Sequence, residues 1–193
     1  QVEQLSEVSA NQFHIDYTTN LVTIGTDPQG KTIELTAYRY GLRRLRNTGI
    51  DLDGGTIQGL TFTHYADNGL TFGTNPPSSA VEVNDRGADI PNARIYHNRF
   101  IKNGWGGARI AGDDVIVKWN EFGDNGFLGL DFQDSRRGLF ENNWVHGNNY
   151  QAIANYPAGI KVFNQCLEIM VRNNLVEYNN ANGIWLDVGV DDS

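Results

Sequence analysis

The chain has 193 residues, 39% of them hydrophobic and 20% charged, which fits a folded domain with a sizeable core and excludes a disordered chain. Its charge sum is 15 − 23 = −8, so its long-range field repels phosphate backbones and nucleic acid is excluded as an expected partner. No run reaches the roughly 18 apolar residues of a membrane span, Gln1 opens no signal sequence, and the lone Cys166 excludes an internal disulfide and a cysteine zinc cluster.

The chain therefore reads as a soluble mature form or fragment. Its 22 glycines and many asparagines point to short strands joined by tight turns. Residues 1–54 are predicted to be a β-rich leader packed on the N-terminal end of the segment that starts at residue 55, with short strands at 12–17, 21–25 and 32–36 and turns at 18–20 and 27–30. From residue 55 onward one pattern recurs: an apolar residue, Asn three later, an apolar residue at five, Asn at eight, Gly at twelve, then alternating apolar positions.

The first copy, from Ile57, keeps Phe62 and Gly69 but lacks the asparagines. An insertion rich in Pro, Ser and Asp follows at 74–92. The copies from Ile95 and Val117 place Asn98 and Asn120 in the first Asn column, Phe100 and Phe122 in the apolar column, Asn103 and Asn125 in the second Asn column, and Gly107 and Gly129 at the close. A copy from Phe140 has Asn143, Val145 and Asn148, but a loop at 149–158 delays its glycine to Gly159. The last copy, from Val171, has Asn174, Val176, Asn179 and Gly183.

Starts at 95, 117 and 140 are 22 and 23 residues apart, which suits one coil of a parallel β-solenoid of about five coils. The fold expected is thus all-β, a parallel β-helix over 55–193. Stacked asparagines are expected to form amide ladders at the bends. Ser193 closely follows the strand expected at 184–187, with no capping element, so the natural polypeptide is expected to continue or another chain to cover that end.

The residue two after each glycine gives an outward column of Thr71, Arg109, Asp131, Lys161 and Trp185, and the residue four after gives Gly73, Ala111, Gln133, Phe163 and Asp187. Arg109 and Asp131 on adjacent coils suit an exposed charge ladder. Lys161 and Asp187 are close enough to converge beneath the 149–158 loop, whose Tyr150 and Tyr156, with Trp185, offer aromatic platforms for a sugar. The four histidines fall at different phases of the repeat and form no expected metal site.

Glu141-Asn142-Asn143, Ala158-Gly159-Ile160-Lys161 and Gly183-Ile184-Trp185-Leu186-Asp187 resemble bacterial right-handed parallel β-helix proteins related to pectate lyases and β-helical glycoside hydrolases. The leader, from Phe13-His14-Ile15-Asp16 through Ile24-Gly25-Thr26-Asp27-Pro28-Gln29-Gly30, also resembles the segment before the helix in those proteins.

In the β-xylosidase branch the Gly-Ile-Trp-Leu-Asp motif implies that Asp187 is a nucleophile, with an acid/base Glu about one coil later. The chain ends before that position, so retaining hydrolysis by this chain alone is not expected. The lyase branch implies Lys161 as base, with Asp131 and Asp187 as oxygen ligands if Ca²⁺ takes part. Otherwise no cofactor is implied.

The expected function is an extracellular, secreted or cell-surface polysaccharide-processing protein, hydrolase before lyase. Asp187 and Lys161 are the catalytic candidates, and Trp185, Asp131, Arg109, Tyr150 and Tyr156 the substrate-binding ones. The rival is a non-catalytic structural or adhesive solenoid that associates end to end.

Overall fold

The computed structural model describes residues 2–16, 18–19, 21–33, 36, 38–44, 53–73 and 90–191, so most of the predicted 74–92 insertion lies outside the described residues. The chain divides into two units, Gln1–Leu35 and Thr36–Ser193.

In the first unit, β1 (Phe13–Asp16) and β2 (Leu21–Ile24) form an antiparallel hairpin in which Phe13 faces Ile24 and Asp16 faces Leu21. Asp16 supports the turn, its Oδ1 accepting the N–H of Thr18 at 2.8 Å and of Thr19 at 3.2 Å. These are the first two strands expected from sequence. The third, at 32–36, lies partly outside the described residues; Thr32, Ile33 and Thr36 are exposed and lie in no strand, and no strand among the described residues offers them a ladder.

The second unit opens with β3 (Leu42–Arg44) and continues in rungs of three strands. The first rung is β4 (Thr56–Gln58), β5 (Thr61–Thr63) and β6 (Leu70–Phe72), and the second is β7 (Arg94–Tyr96), β8 (Arg99–Ile101) and β9 (Gly106–Ala111). β10 (Ile116–Lys118), β11 (Glu121–Gly123) and β12 (Leu128–Gln133) make the third, and β13 (Leu139–Glu141), β14 (Trp144–His146) and β15 (Ala158–Phe163) the fourth. The fifth is β16 (Met170–Arg172), β17 (Leu175–Glu177) and β18 (Asn182–Leu186).

Equivalent strands pair in parallel, giving three sheets: β4-β7-β10-β13-β16, β5-β8-β11-β14-β17 and β3-β6-β9-β12-β15-β18. Because β3 pairs with β6, solenoid pairing begins inside the segment read as leader, ahead of residue 55.

The repeat's columns are the solenoid's interior. Ile57, Ile95, Val117, Phe140 and Val171 stack along the first sheet. In the second, the Phe62, Phe100 and Phe122 rings lie face to face with centroids 4.9 and 5.0 Å apart, an arrangement that adds to the burial of each ring.

At the first bend Asn98 Nδ2 donates to Asn120 Oδ1 at 3.1 Å, Asn120 to Asn143 at 3.0 Å and Asn143 to Asn174 at 2.9 Å. At the second, Asn103, Asn125, Asn148 and Asn179 repeat this at 3.1, 2.9 and 2.8 Å. Each accepting oxygen also takes the preceding asparagine's backbone N–H, so groups that a bend would orphan are satisfied inside the solenoid.

The ladder asparagines do not themselves adopt the left-handed conformation that tight turns use. That falls to the residue before each, as in His97 (φ 54), Trp119 (φ 56) and Asn142 (φ 57).

The glycine column has a different cause. A Cβ on Gly129 would lie 2.5 Å from the Gly159 carbonyl oxygen and 2.9 Å from Asn148 Nδ2, and Gly107 stands in the same relation to Gly129 and Asn125. Glycine is required there because ladder and next rung come too close for a side chain, not because of φ.

Candidate functional site

The outward face of the third sheet carries the predicted column in the predicted register: Thr71 pairs with Arg109, Arg109 with Asp131, Asp131 with Lys161 and Lys161 with Trp185. Period-two alternation turns Leu130 and Phe132 into the core and Asp131 and Gln133 away from it. Yet the column is not exposed. Asp131 is only 1% accessible and Lys161 6%, which corrects the expectation of a solvent-exposed charge ladder.

Part of the cover is the column itself. Arg109 lies on Asp131, its Nη2 2.7 Å from Oδ2 and its Nε 2.8 Å from Oδ2 and 3.1 Å from Oδ1. The attraction of Asp131, partly offset by burial, raises the affinity of that guanidinium for its proton. A second apolar cluster, separate from the main core, has Phe127, Leu128 and Ala158 packed against Trp105, Ile153 and Trp185. Trp105 and Phe127 were not singled out from sequence.

Lys161 Nζ is 3.0 Å from Asp187 Oδ2. The same ammonium sits 4.3 Å from the ring centre of Trp185, 4.9 Å from that of Tyr156 and 5.2 Å from that of Phe163, so carboxylate and ring faces share its charge. Tyr156 reaches it from the 149–158 loop and stacks on Trp185 with centroids 5.9 Å apart.

That loop is tied down at its start. Asn149 Nδ2 donates to the Asn180 carbonyl at 2.6 Å, and Gln151 Nε2 donates to the Gly104 carbonyl at 2.6 Å. Both tyrosines of the loop are exposed, and the one whose ring meets Lys161 and Trp185 is Tyr156.

Asp187 is fixed by its own backbone, whose N–H donates to the Val162 carbonyl at 2.8 Å. Burial pushes its carboxyl up, but hydrogen bonds from Lys161 and the Val188 N–H, with the pull of the ammonium, outweigh this and leave it below the ordinary carboxylate value. Asp187 is therefore ionised at neutral pH, suited to act as nucleophile or base and unsuited to donate a proton.

Asp131 and Asp187 are both taken by cations. They offer no oxygen cage for Ca²⁺, which needs roughly six to eight ligands. Among the described residues no cluster of three His, Cys, Asp or Glu could hold a metal, and no helix is long and apolar enough to cross a membrane.

A family model described as a right-handed β-helix region matches residues 40–191. The chain belongs to the right-handed β-helix family. That match begins at Tyr40, just before β3, in agreement with pairing that starts at Leu42. Searches of curated proteins and of solved structures return no match. Right-handed β-helix domains occur in polysaccharide-processing enzymes and in other proteins, so the function has to be argued from the residues of the third sheet.

Proposed function

We propose that this right-handed β-helix protein engages a polysaccharide along the outward face of its third sheet and acts on it there, as a glycoside hydrolase before a lyase. The observation that carries the reading is the Lys161–Asp187 pair, an ionised carboxylate held at 3.0 Å by an ammonium within three aromatic rings. Trp185 and Tyr156 give flat apolar faces of the kind that sugar rings stack on, and Arg109 and Asp131 continue the same column with polar edges.

In this reading Asp187 is the reactive carboxylate and Lys161 orients it. An ammonium already donating to Asp187 is poorly suited to be the proton-abstracting base that a lyase requires, which favours the hydrolase. Asp131, with both oxygens engaged by Arg109, is not free to protonate a leaving group and is not the proton donor in this reading. The reading places the protein outside the cell or on its surface.

Reducing-end release from a panel of polysaccharides tests the proposal. Asp187→Asn is expected to lower turnover about 10²-fold or more. Lys161→Ala is expected to lower it less and to move the acidic limb of the pH profile upward, since Asp187 loses the charge that keeps it ionised. Wild-type turnover in both variants would overturn the assignment.

A structural or adhesive solenoid is the second reading, favoured by the burial of Lys161, which a purely structural ion pair would share. Absence of both turnover and glycan binding by the wild-type chain would decide for it.

A further inference from the structure

At the first bend one residue in each rung takes the left-handed conformation: Gly59 (φ 71), His97 (φ 54), Trp119 (φ 56), Asn142 (φ 57) and Asn173 (φ 55). Glycine, asparagine and histidine suit that conformation, whereas a bulky indole adopts it at a cost, and Trp119 is also half-exposed. Neither the turn nor the core calls for tryptophan there. One rung on, Trp144 stands outward on β14, half-exposed as well. Its ring is fixed by donation from Nε1 to Glu177 Oε1 at 3.1 Å and by stacking on His146, and Trp119 is held in the same way against His97. With His97, Arg99, Glu121 and Asn142 the two indoles border an open groove of about 430 Å³.

Arg99 and Glu121 neutralise each other, Arg99 Nε lying 2.5 Å from Oε2 and Nη2 3.4 Å from Oε1, so the groove suits an uncharged ligand. His146 Nε2 is also 3.2 Å from Glu121 Oε1, and the amides of Asn98 and Asn120 on the groove floor are spent on the ladder. Among the described residues Arg99 Nη1, Trp119 Nε1 and the Asn142 amide remain as donors, against acceptors only on Asn142 and His97.

Sugar hydroxyls donate as well as accept and find few acceptors here. A run of prolines has no N–H, offers its carbonyls to donors and lays flat apolar rings on aromatic faces. The apolar line also outlasts the indoles. Leu60, beside Thr61 in the first rung, and Leu175, in register with Trp144 in the fifth, are both exposed. Four rung steps of about 4.8 Å separate them, roughly 19 Å, the length of about six residues of polyproline II.

We infer that this groove docks a proline-rich segment of another protein, extended as polyproline II along the solenoid axis. Trp119 and Trp144 take the proline rings, and Arg99, Asn142 and Trp119 Nε1 donate to the carbonyls. The inference goes beyond the polysaccharide reading of the third sheet and does not depend on it.

Calorimetric titration of the whole chain with hexaproline, a Gly-Ser hexapeptide, both with blocked termini, and cellohexaose tests this. Hexaproline is expected to bind about tenfold or more tighter than the Gly-Ser peptide, and Trp119→Asn and Trp144→Thr are each expected to erase the difference. Asn142 and Thr61 occupy the corresponding places in other rungs, so both variants keep a residue that the coil accepts.

Hexaproline binding no tighter than the Gly-Ser peptide, or unchanged in both variants, would overturn the inference. Displacement of hexaproline by cellohexaose would also overturn it, by making the groove a glycan site. Turnover does not enter this titration, so the catalytic reading stands or falls separately, on Asp187→Asn.

Discussion

Two stacks of in-register side chains run along this solenoid, and they differ in one respect that separates scaffold from site. At the bends every rung from Asn98 to Asn174 and from Asn103 to Asn179 repeats the same residue, and each amide binds the next amide and the backbone around it. On the third sheet the residue changes at every rung, from Arg43 through Thr71, Arg109, Asp131 and Lys161 to Trp185. Identical residues in every rung meet a need that recurs in every rung. A column that varies while Thr71, Asp131 and Lys161 stay buried has its residues set by something other than the repeat.

The sharpest way to break this contrast is to cut a ladder. Asn125→Ala removes the acceptor of the Asn103 backbone N–H and side-chain amide and the donor to the Phe100 carbonyl, leaving buried groups unpaired. The expected loss is about 4 kcal/mol, a fall in Tm of roughly 8–16 °C in thermal unfolding. Asp131→Ala comes next, because it strands the mostly buried Arg109, and about 3 kcal/mol is expected by denaturant titration.

Gly129→Ala sets a Cβ against the Gly159 carbonyl and is expected to cost about 2 kcal/mol by the same measurement. Arg99→Ala is the small end of the scale. Its guanidinium is half-exposed on Glu121, and a change below about 1 kcal/mol is expected.

Acid should also distinguish the stacks, since amides do not titrate and carboxylates do. Asp187 is held low against burial by Lys161, and Glu121 is held low chiefly by its hydrogen bond from Arg99. A carboxyl whose folded value is depressed stabilises the fold above its ordinary range and loses that contribution as pH falls. Tm is therefore expected to be flat from about pH 7 to 5 and to fall below about pH 5, with a shallower fall in Asp187→Asn.

The scaffold was legible in the sequence because each rung repeats its needs. The Asn and Gly columns gave the period, and the period placed Thr71, Arg109, Asp131, Lys161 and Trp185 in the register they occupy. What the repeat could not signal was burial outside the core, since Tyr156 reaches Lys161 from an inserted loop that no periodicity marks.

The start of the solenoid was missed for a related reason. β3 lacks the asparagines, although Gly41 stands two residues before Arg43 as Gly107 does before Arg109, a signal short enough to pass as a turn. Tyr150 and Tyr156 are both expected at the site because the 149–158 loop overhangs it, and the ring contacts with Lys161 and Trp185 are made by Tyr156. Thr32 and Ile33 have strand-forming side chains but no partner strand among the described residues.

Another polar and aromatic surface competes for the role of glycan face. At the first bend, Trp119 and Trp144 border a shallow groove of about 430 Å³, where Trp119 stacks on His97 and Trp144 on His146. Backbone amide shift mapping of the isotope-labelled chain during titration with an oligosaccharide that it binds distinguishes the two. Perturbations gathered at Arg109, Asp131, Lys161 and Trp185 are the expected result. Perturbations gathered at Trp119 and Trp144 and absent from the third sheet would contradict the reading of the outward column as the site.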